Sequence, residues 1–363
     1  MSKNINVPKL RFKDFSGDWE DKYTIDIAPL QRGFDLPVAQ IKSGSYPVVF
    51  SNGILKTHID YKAIAPGVVT GRSGTIGTVT YVTNNYWPHN TALWVTDFKG
   101  NDTKFIYYFY LNFNLDKYGT GSGVPTLNRN DVHCIKKSIP KKAEQEKIAA
   151  FLTYVDTRIE QLTKKESLLQ QYKKGIMQKI FSQEIRFKAD DGTDFPDWEE
   201  KKLGKITNKK SSNISANQLD ENNGCYKIYG ATGYLKSIDF FTEKEPFISI
   251  VKDGAGVGRV LLCDSESSVL GTLDIIKNNE NINLYYVYCL LNRIKFEKYI
   301  VGSTIPHIYF KDYSSERVQV PCLAEQNKIA EFLSSIDNKI EQTNQQLTAT
   351  KQFKKALLQQ MFV

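Results

Sequence analysis

Within FPDWEEKK, residues 195–202, Pro196, Asp197, Glu199 and Lys201 carry the letters of a metal-dependent nuclease. In such a site an aspartate and a Glu-x-Lys pair gather carboxylates around a divalent cation, so the aspartate must sit on one strand and the pair on its neighbour. One intervening residue cannot meet that requirement. The spacing of Asp197 and Glu200 reads instead as a capping box opening a short helix, and Asp18 and Asp21 read the same way earlier in the chain. Four histidines, His58, His89, His133 and His307, show neither HxxxH nor HExxH spacing and read as structural or surface residues. No serine sits in a GxSxG turn, and no Asn-Pro-Pro-Tyr or Asp-Pro-Pro-Tyr segment is present to stack and methylate a flipped adenine. The residues thus suggest no catalytic group, metal set or cofactor site in this chain.

A second class of candidate lies in two glycine-rich stretches, GRSGTIG (71–77) and KDGAGVG (252–258). Neither is GxGxxG followed by an acidic residue, and neither is GxxxxGK[ST], so a phosphate-cradling nucleotide loop is not indicated. Glycines between two strands permit tight turns and close backbone approach. Arg72, Ser73 and Thr75 in one copy, and Lys252, Asp253 and Arg259 in the other, then project hydrogen-bonding groups suited to base edges and phosphates. Asn90, Ser122, Thr232, Tyr234, Ser303 and His307 complete the set of candidate DNA contacts. The plainer alternative is a pair of hairpin turns with solvated side chains. Tyr46, Trp87, Tyr226 and Tyr234 would support a groove or wedge against a distorted base step, although core packing suits most aromatics better.

The elements that must position these groups are duplicated. Gly121, Pro125, Pro140 and Phe181 recur as Gly302, Pro306, Pro321 and Phe362, one ungapped offset of 181 residues. The similarity reaches back to FSNGILKTHID (50–60) against YGATGYLKSID (229–239), and to GDWEDK (17–22) against PDWEEK (196–201). The chain is two half-length copies in tandem, each a mixed domain followed by a long helix. Short β-branched and aromatic runs broken by Gly and Asn predict strands at 46–61, 67–82, 91–98, 247–263 and 272–277, with helical spacing at 101–118 and 283–299.

The clearest periodicity follows each domain. Ile148, Leu152, Val155, Ile159, Leu162, Leu169, Ile176 and Ile180 alternate in steps of four and three, apart from polar slots at Glu166 and Lys173. Ile329, Leu333, Ile336, Ile340, Leu347, Leu357 and Met361 repeat the steps, with Thr343, Thr350 and Lys354 interrupting. This is the a/d seam of a coiled coil. Two such seams in a duplicated chain predict an antiparallel pair related by a pseudo-two-fold axis. At ~1.5 Å per residue the first helix is on the order of 57 Å long, longer than one ~34 Å turn of duplex DNA, which makes the pair a spacer. The fold class is therefore α+β: two mixed domains, 1–143 and 183–324, separated by long helices at 144–182 and 325–363.

Composition agrees with a globular chain of 363 residues, 41% apolar and 12% aromatic. A formal charge of +8 favours polyanionic partners, nucleic acid first among them, over acidic-averse ones. Five scattered cysteines without a CxxC pair suggest neither a disulfide framework nor a zinc ribbon, and fit a reducing cytoplasm. The first fifteen residues lack the apolar core of a secretory signal, and no window approaches the ~18 apolar residues of a membrane span. A soluble cytoplasmic protein with no membrane partner is expected.

Two variable domains, each ending in a GS..P segment and a proline, then AEQ.KIA.FL...D..IEQ (143–161; 324–342), resemble the specificity subunit of type I restriction-modification enzymes over essentially the whole chain. YGATGY (229–234) matches the family's usual wording, and FSNGIL (50–55) departs from it. The resemblance implies a non-enzymatic subunit whose two target-recognition domains read the halves of a split, asymmetric double-stranded DNA sequence, with the helices fixing the gap. It also implies methylation subunits, usually two, bringing S-adenosylmethionine, and restriction subunits bringing ATP- and Mg-dependent translocation and cleavage. An RNA-binding adaptor lacks the RRM and KH signatures here. A coiled-coil scaffold without a nucleic-acid role is the other alternative.

Overall fold

The computed structural model describes residues 6–121, 123–219 and 221–363. They form two compact units, and neither is a continuous stretch of chain. Of the described residues, those within 6–165 and 343–363 form the first and those within 166–342 the second. Each unit has mixed sheets and short helices, and each includes the head of one long helix and the tail of the other.

In the first unit a four-stranded antiparallel sheet has the order Leu30–Arg32, Ala92–Val95, Gly67–Gly71, Val79–Val82. A three-stranded sheet has the order Gly53–His58, Tyr46–Phe50, Trp87–Pro88, its last pair parallel. The second unit repeats both orders: Thr207–Ser211, Leu273–Asn278, Phe247–Val251, Val260–Cys263, and then Gly233–Ile238, Tyr226–Gly230, Ser267–Val269. Phe247–Val251 is buried at all five positions, and so is Gly67–Gly71. Burial on both faces explains why these central strands read as continuous rather than alternating apolar runs. Over each sheet lies a helix capped by a side chain: Asp102 accepts from the Phe105 N–H at 2.7 Å ahead of Thr103–Leu111, and Asn283 accepts from the Tyr286 N–H at 3.0 Å ahead of Leu284–Leu291.

The capping-box reading of the DWE segments is overturned. Glu20–Tyr23 is a strand paired with Lys136–Ile139, and Glu199–Lys202 is a strand paired with Arg317–Val320. Charged side chains are tolerated because these two-stranded ribbons are mostly exposed, and their backbone pairing lies more than a hundred residues away, beyond any local rule. The short helices follow only at Thr24–Ile27 and Leu203–Ile206, with no side-chain cap.

The long helices span Lys142–Phe181 and Leu323–Met361 and pack together as the seams require. In the first unit Ile148, Leu152 and Val155 share a core with Leu357 and Met361. In the second, Ile180 shares a core with Ile329, Leu333 and Ile336. Of the other seam positions, Leu162 and Leu347 are buried, and Ile159, Leu169 and Ile340 are half-buried. The polar slots make ion pairs: Asp156 with Lys354 at 2.6 Å in the first unit, and Lys173 with Asp337 at 2.5 Å in the second. From Asp156 to Lys173 the first helix advances 17 residues while its partner retreats 17, from Lys354 to Asp337, so the pairing is antiparallel. Tyrosines seal both pairs, Tyr108 donating to Asp156 at 2.8 Å and Tyr285 to Asp337.

The repeated Glu-Gln at each helix head has a structural task. Glu144, buried, accepts from Arg11 Nε at 2.8 Å and from the Trp19 indole at 3.4 Å. Glu325, fully buried, accepts from Arg186 Nη2 at 2.8 Å and from the Trp198 indole at 2.9 Å. Gln145 accepts from the Asp102 N–H at 3.0 Å and donates to the Pro140 carbonyl at 2.9 Å; Gln326 does the same for Asn283 and Pro321, each at 2.8 Å. The motif thus fastens each long helix to its domain.

Arg186→Ala is expected to destabilise the second unit by about 2–3 kcal/mol, because the Glu325 carboxylate stays buried without its cation, discounted for the partial exposure of Arg186. Arg317→Ala, which removes an exposed pair with Glu200, is expected to cost under about 1 kcal/mol. Thermal unfolding of the two variants checks the ranking.

Candidate nucleic-acid interface

In the second unit three segments meet at the glycine-rich loop that follows Phe247–Val251. On one side the Gly254 N–H donates to the Pro306 carbonyl and the Ile308 N–H to the Lys252 carbonyl, both at 2.9 Å, while Asp253 and His307 form a β-bridge. These bonds lash the loop to the GS..P hairpin, which closes by reciprocal 2.9 Å bonds between Val301 and His307. On the other side Arg259 Nη1 donates to the Ala231 carbonyl, in the turn of the YGATGY hairpin. Lys252, Asp253, Arg259, Thr232, Tyr234, Ser303 and His307 are therefore brought onto three contiguous segments. Thr232, Tyr234, Arg259 and Ser303 are exposed. Lys252 is half-buried, and its ammonium lies 3.4 Å from the buried Asp274 carboxylate.

The first unit repeats the construction. The Gly74 N–H donates to the Pro125 carbonyl at 3.0 Å, the Leu127 N–H to the Arg72 carbonyl at 2.7 Å, and Ser73 bridges Thr126. The Arg72 and Ser73 N–H groups both bond the Thr91 carbonyl, at 2.9 and 3.1 Å. The Thr91 hydroxyl in turn accepts from the Ser51 N–H at 3.3 Å, which ties in the FSNG turn. Thr75 is exposed. Asn90 donates from its amide to Asp35 and accepts at its carbonyl from Arg72 Nη1 at 3.4 Å. Ser122 lies outside the described residues. FSNGIL and YGATGY, unlike in wording, build the same bulged hairpin: pairing shifts register at Val48/Val49 and at Ile228/Tyr229, and the turn glycines Gly53 and Gly233 have φ of 108° and 110°.

Histidine chemistry is absorbed by the scaffold. His133 Nε2 accepts from the Leu30 N–H at 2.9 Å and His58 Nδ1 from the Lys42 N–H at 3.1 Å. Burial lowers the pKa of His89, outweighing its bond to the Leu36 carbonyl and the nearby Asp35, and burial lowers that of His133 as well. On Glu199–Lys202, Glu199 and Lys201 pair with each other at 2.8 Å. Among the described residues no group of three or more His, Cys, Asp or Glu side chains is placed to hold a metal ion.

Sequence reasoning missed Arg32, Arg129 and Asp274, which lie beside the two loops. Their placement depends on strand register, which no local pattern discloses. It also passed over Glu144, Gln145, Glu325 and Gln326 as contacts, although the exact recurrence of Glu-Gln was the available signal.

Residues 16–170 and 196–351 each match the family model described as type I restriction modification DNA specificity domain; the chain belongs to this family and carries the domain twice. It is 27% identical over 255 residues to the type I restriction enzyme MjaVIII specificity subunit of Methanocaldococcus jannaschii, a match covering 61% of this chain and 60% of that one. To the MjaIX specificity subunit of the same organism it is 22% identical over 290 residues, covering 70% of this chain and 67% of that one. The chain thus matches about 60% of the length of the first of these relatives. In fold it is similar to the type I restriction-modification system S subunit from M. genitalium, with a TM-score of 0.73 and 19% identity over 98% of this chain and 99% of that one. A chain from a study of complex assembly and conformational transition of the type I R-M system aligns with a TM-score of 0.52 and 14% identity over 94% of this chain and 96% of that one.

Gly302 has φ of 88°, and a Cβ there would lie 2.5 Å from the Ile305 carbonyl oxygen. Gly302→Ala is expected to break the hairpin and the bonds that hold the loop to it and, on the DNA-reading function proposed below, to lower DNA affinity at least tenfold. Gly123→Ala, with open space around it and no positive φ, is expected to leave affinity within about twofold. Titration of labelled duplex against each variant, with circular dichroism as the folding control, checks this.

Proposed function

We propose that this chain is the DNA specificity subunit of a type I restriction-modification complex, reading a bipartite, asymmetric double-stranded target with one domain per half. The observation that carries the reading is the twofold occurrence of one surface, a glycine-rich loop lashed to a GS..P hairpin, on two domains of the same fold whose exposed residues differ. A repeated scaffold with unlike side chains suits two half-sequences that differ. Residues 1–143 and 183–324 would be the reading domains, and 144–182 and 325–363 the spacer that sets the gap. Arg72, Ser73, Thr75, Asn90 and Ser122 would contact one half. Thr232, Tyr234, Lys252, Asp253, Arg259, Ser303 and His307 would contact the other.

In this reading the chain performs no catalysis. Methylation subunits, two of them, would bring S-adenosylmethionine, and restriction subunits would bring ATP and Mg, the whole working in the cytoplasm. Among the described residues no helix is long and apolar enough to cross a membrane.

Expression of the chain with a methylation partner in cells lacking other systems is expected to add one split DNA motif carrying methylated adenines on both strands. Absence of any new split motif in the methylome would sink the proposal. Inserting one heptad after Gln161, with a matching heptad in the second helix, is expected to lengthen the gap and leave both half-sequences intact.

A further inference from the structure

We propose that the recess beside the glycine-rich loop of the first unit is a clamp for a phosphate of the DNA backbone, and that the equivalent place in the second unit takes none. The inference rests on the DNA-reading function above and adds a division of labour between the two units.

The recess, of about 570 Å³, is lined by Arg32, Arg72 and Arg129 against walls that include Phe34, Leu93 and Leu127. Arg32 is held by the exposed Asp35 at 2.8 Å. Arg72 makes only a long 3.4 Å side-chain bond to the Asn90 carbonyl, and neither it nor Arg129 has a carboxylate partner among the described residues. Three arginines and one carboxylate, Asp35, thus line the recess, and the positive charge of Arg72 and Arg129 has no ion-pair partner among the described residues.

Strand register identifies the corresponding residues of the second unit. Arg32 and Thr70 both pair with Leu93, whereas Ser211 and Ile250 both pair with Asp274. Ser211 thus stands in the place of Arg32, and Asp274 in that of Leu93. The bonds from Leu127 to Arg72 and from Ile308 to Lys252 align those pairs, which puts Phe310 in the place of Arg129. Three arginines and a leucine in the first unit become a serine, a lysine, a phenylalanine and an aspartate in the second. Asp274 is buried, lies 3.4 Å from Lys252 and 3.6 Å from Lys209, and accepts from Ser211 Oγ at 3.2 Å. Where the first unit leaves Arg72 without a carboxylate, the second sets a buried carboxylate against Lys252 and Lys209.

Shape decides what the first unit's recess takes. A base edge lies at the floor of a groove and is reached by a protruding side chain. Phosphates are the outermost groups of the duplex and enter a concavity. The planar fork of arginine matches two phosphate oxygens at once.

The test uses the assembled complex of the methylation experiment and measures affinity for mixed-sequence duplex DNA against salt. Each lost phosphate contact should flatten the log–log slope by about 0.9. Arg129→Gln and Arg72→Gln are each expected to flatten it by that amount and weaken binding several-fold at moderate salt, while Arg129→Lys keeps most of the slope. Lys209→Gln, which removes a cation beside Asp274 in the second unit, should leave the slope unchanged, and Asp274→Leu should steepen it. On a duplex with methylphosphonates across the first unit's half-site, the effect of Arg129→Gln should vanish. An unchanged slope in Arg129→Gln, equal flattening by Lys209→Gln, or an Arg72→Gln loss confined to the cognate site would overturn the clamp while leaving the functional reading standing. If the unaltered complex recognised no split site, that reading itself would fall.

Discussion

The ring of Phe362 stacks on Phe105 with centroids 5.4 Å apart, and Phe181 occupies the matching position beside Tyr286 at 5.5 Å. These contacts express the constraint on which the rest depends. The apolar core of each unit is finished by the tail of a long helix as well as by the head of the other. The first unit closes over Leu357, Met361 and Phe362, and the second over Ile180 and Phe181. A helix that must satisfy a core at each end is fixed in length and phase. The Asp156–Lys354 and Lys173–Asp337 pairs fix its register, since a slip of one residue would leave half-buried charges unpaired.

On that frame the chain separates what is repeated from what differs. The repeated residues do mechanical work: Glu144 and Glu325 hold an arginine and a tryptophan, and Gln145 and Gln326 tie each helix head to the capped helix of its domain. Backbone bonds, not side chains, lash each glycine-rich loop to its hairpin, so the side chains can change without loss of the surface. The exchange of Leu93 for Asp274 shows how far this goes. Where the first unit has a leucine beside Arg72, the second places a buried carboxylate beside Lys252.

The long helices, the tandem duplication and the central strands were legible in the sequence because each rests on a local period or an ungapped match. The DWE segments were misread because Glu20–Tyr23 and Glu199–Lys202 take their structure from strands far along the chain, and non-local pairing outweighs a local capping signal. The glycine-rich loops and GS..P segments were each recognisable as candidate contacts. Their joining through Gly74–Pro125 and Gly254–Pro306 was not, because only the folded sheet brings them together. Arg129 and Asp274 escaped for a similar reason, as neither belongs to a motif and both acquire meaning from the neighbour that strand register supplies.

Hydrogen–deuterium exchange on a Phe362→Ala chain tests most directly the claim that each unit is closed by a helix tail. Truncating a ring buried in a shared core typically costs about 3–5 kcal/mol, enough to open a local unit. The account predicts faster exchange throughout Thr103–Leu111 with Leu284–Leu291 unchanged. Protection unaltered in both helices, or lost equally from both, would contradict it.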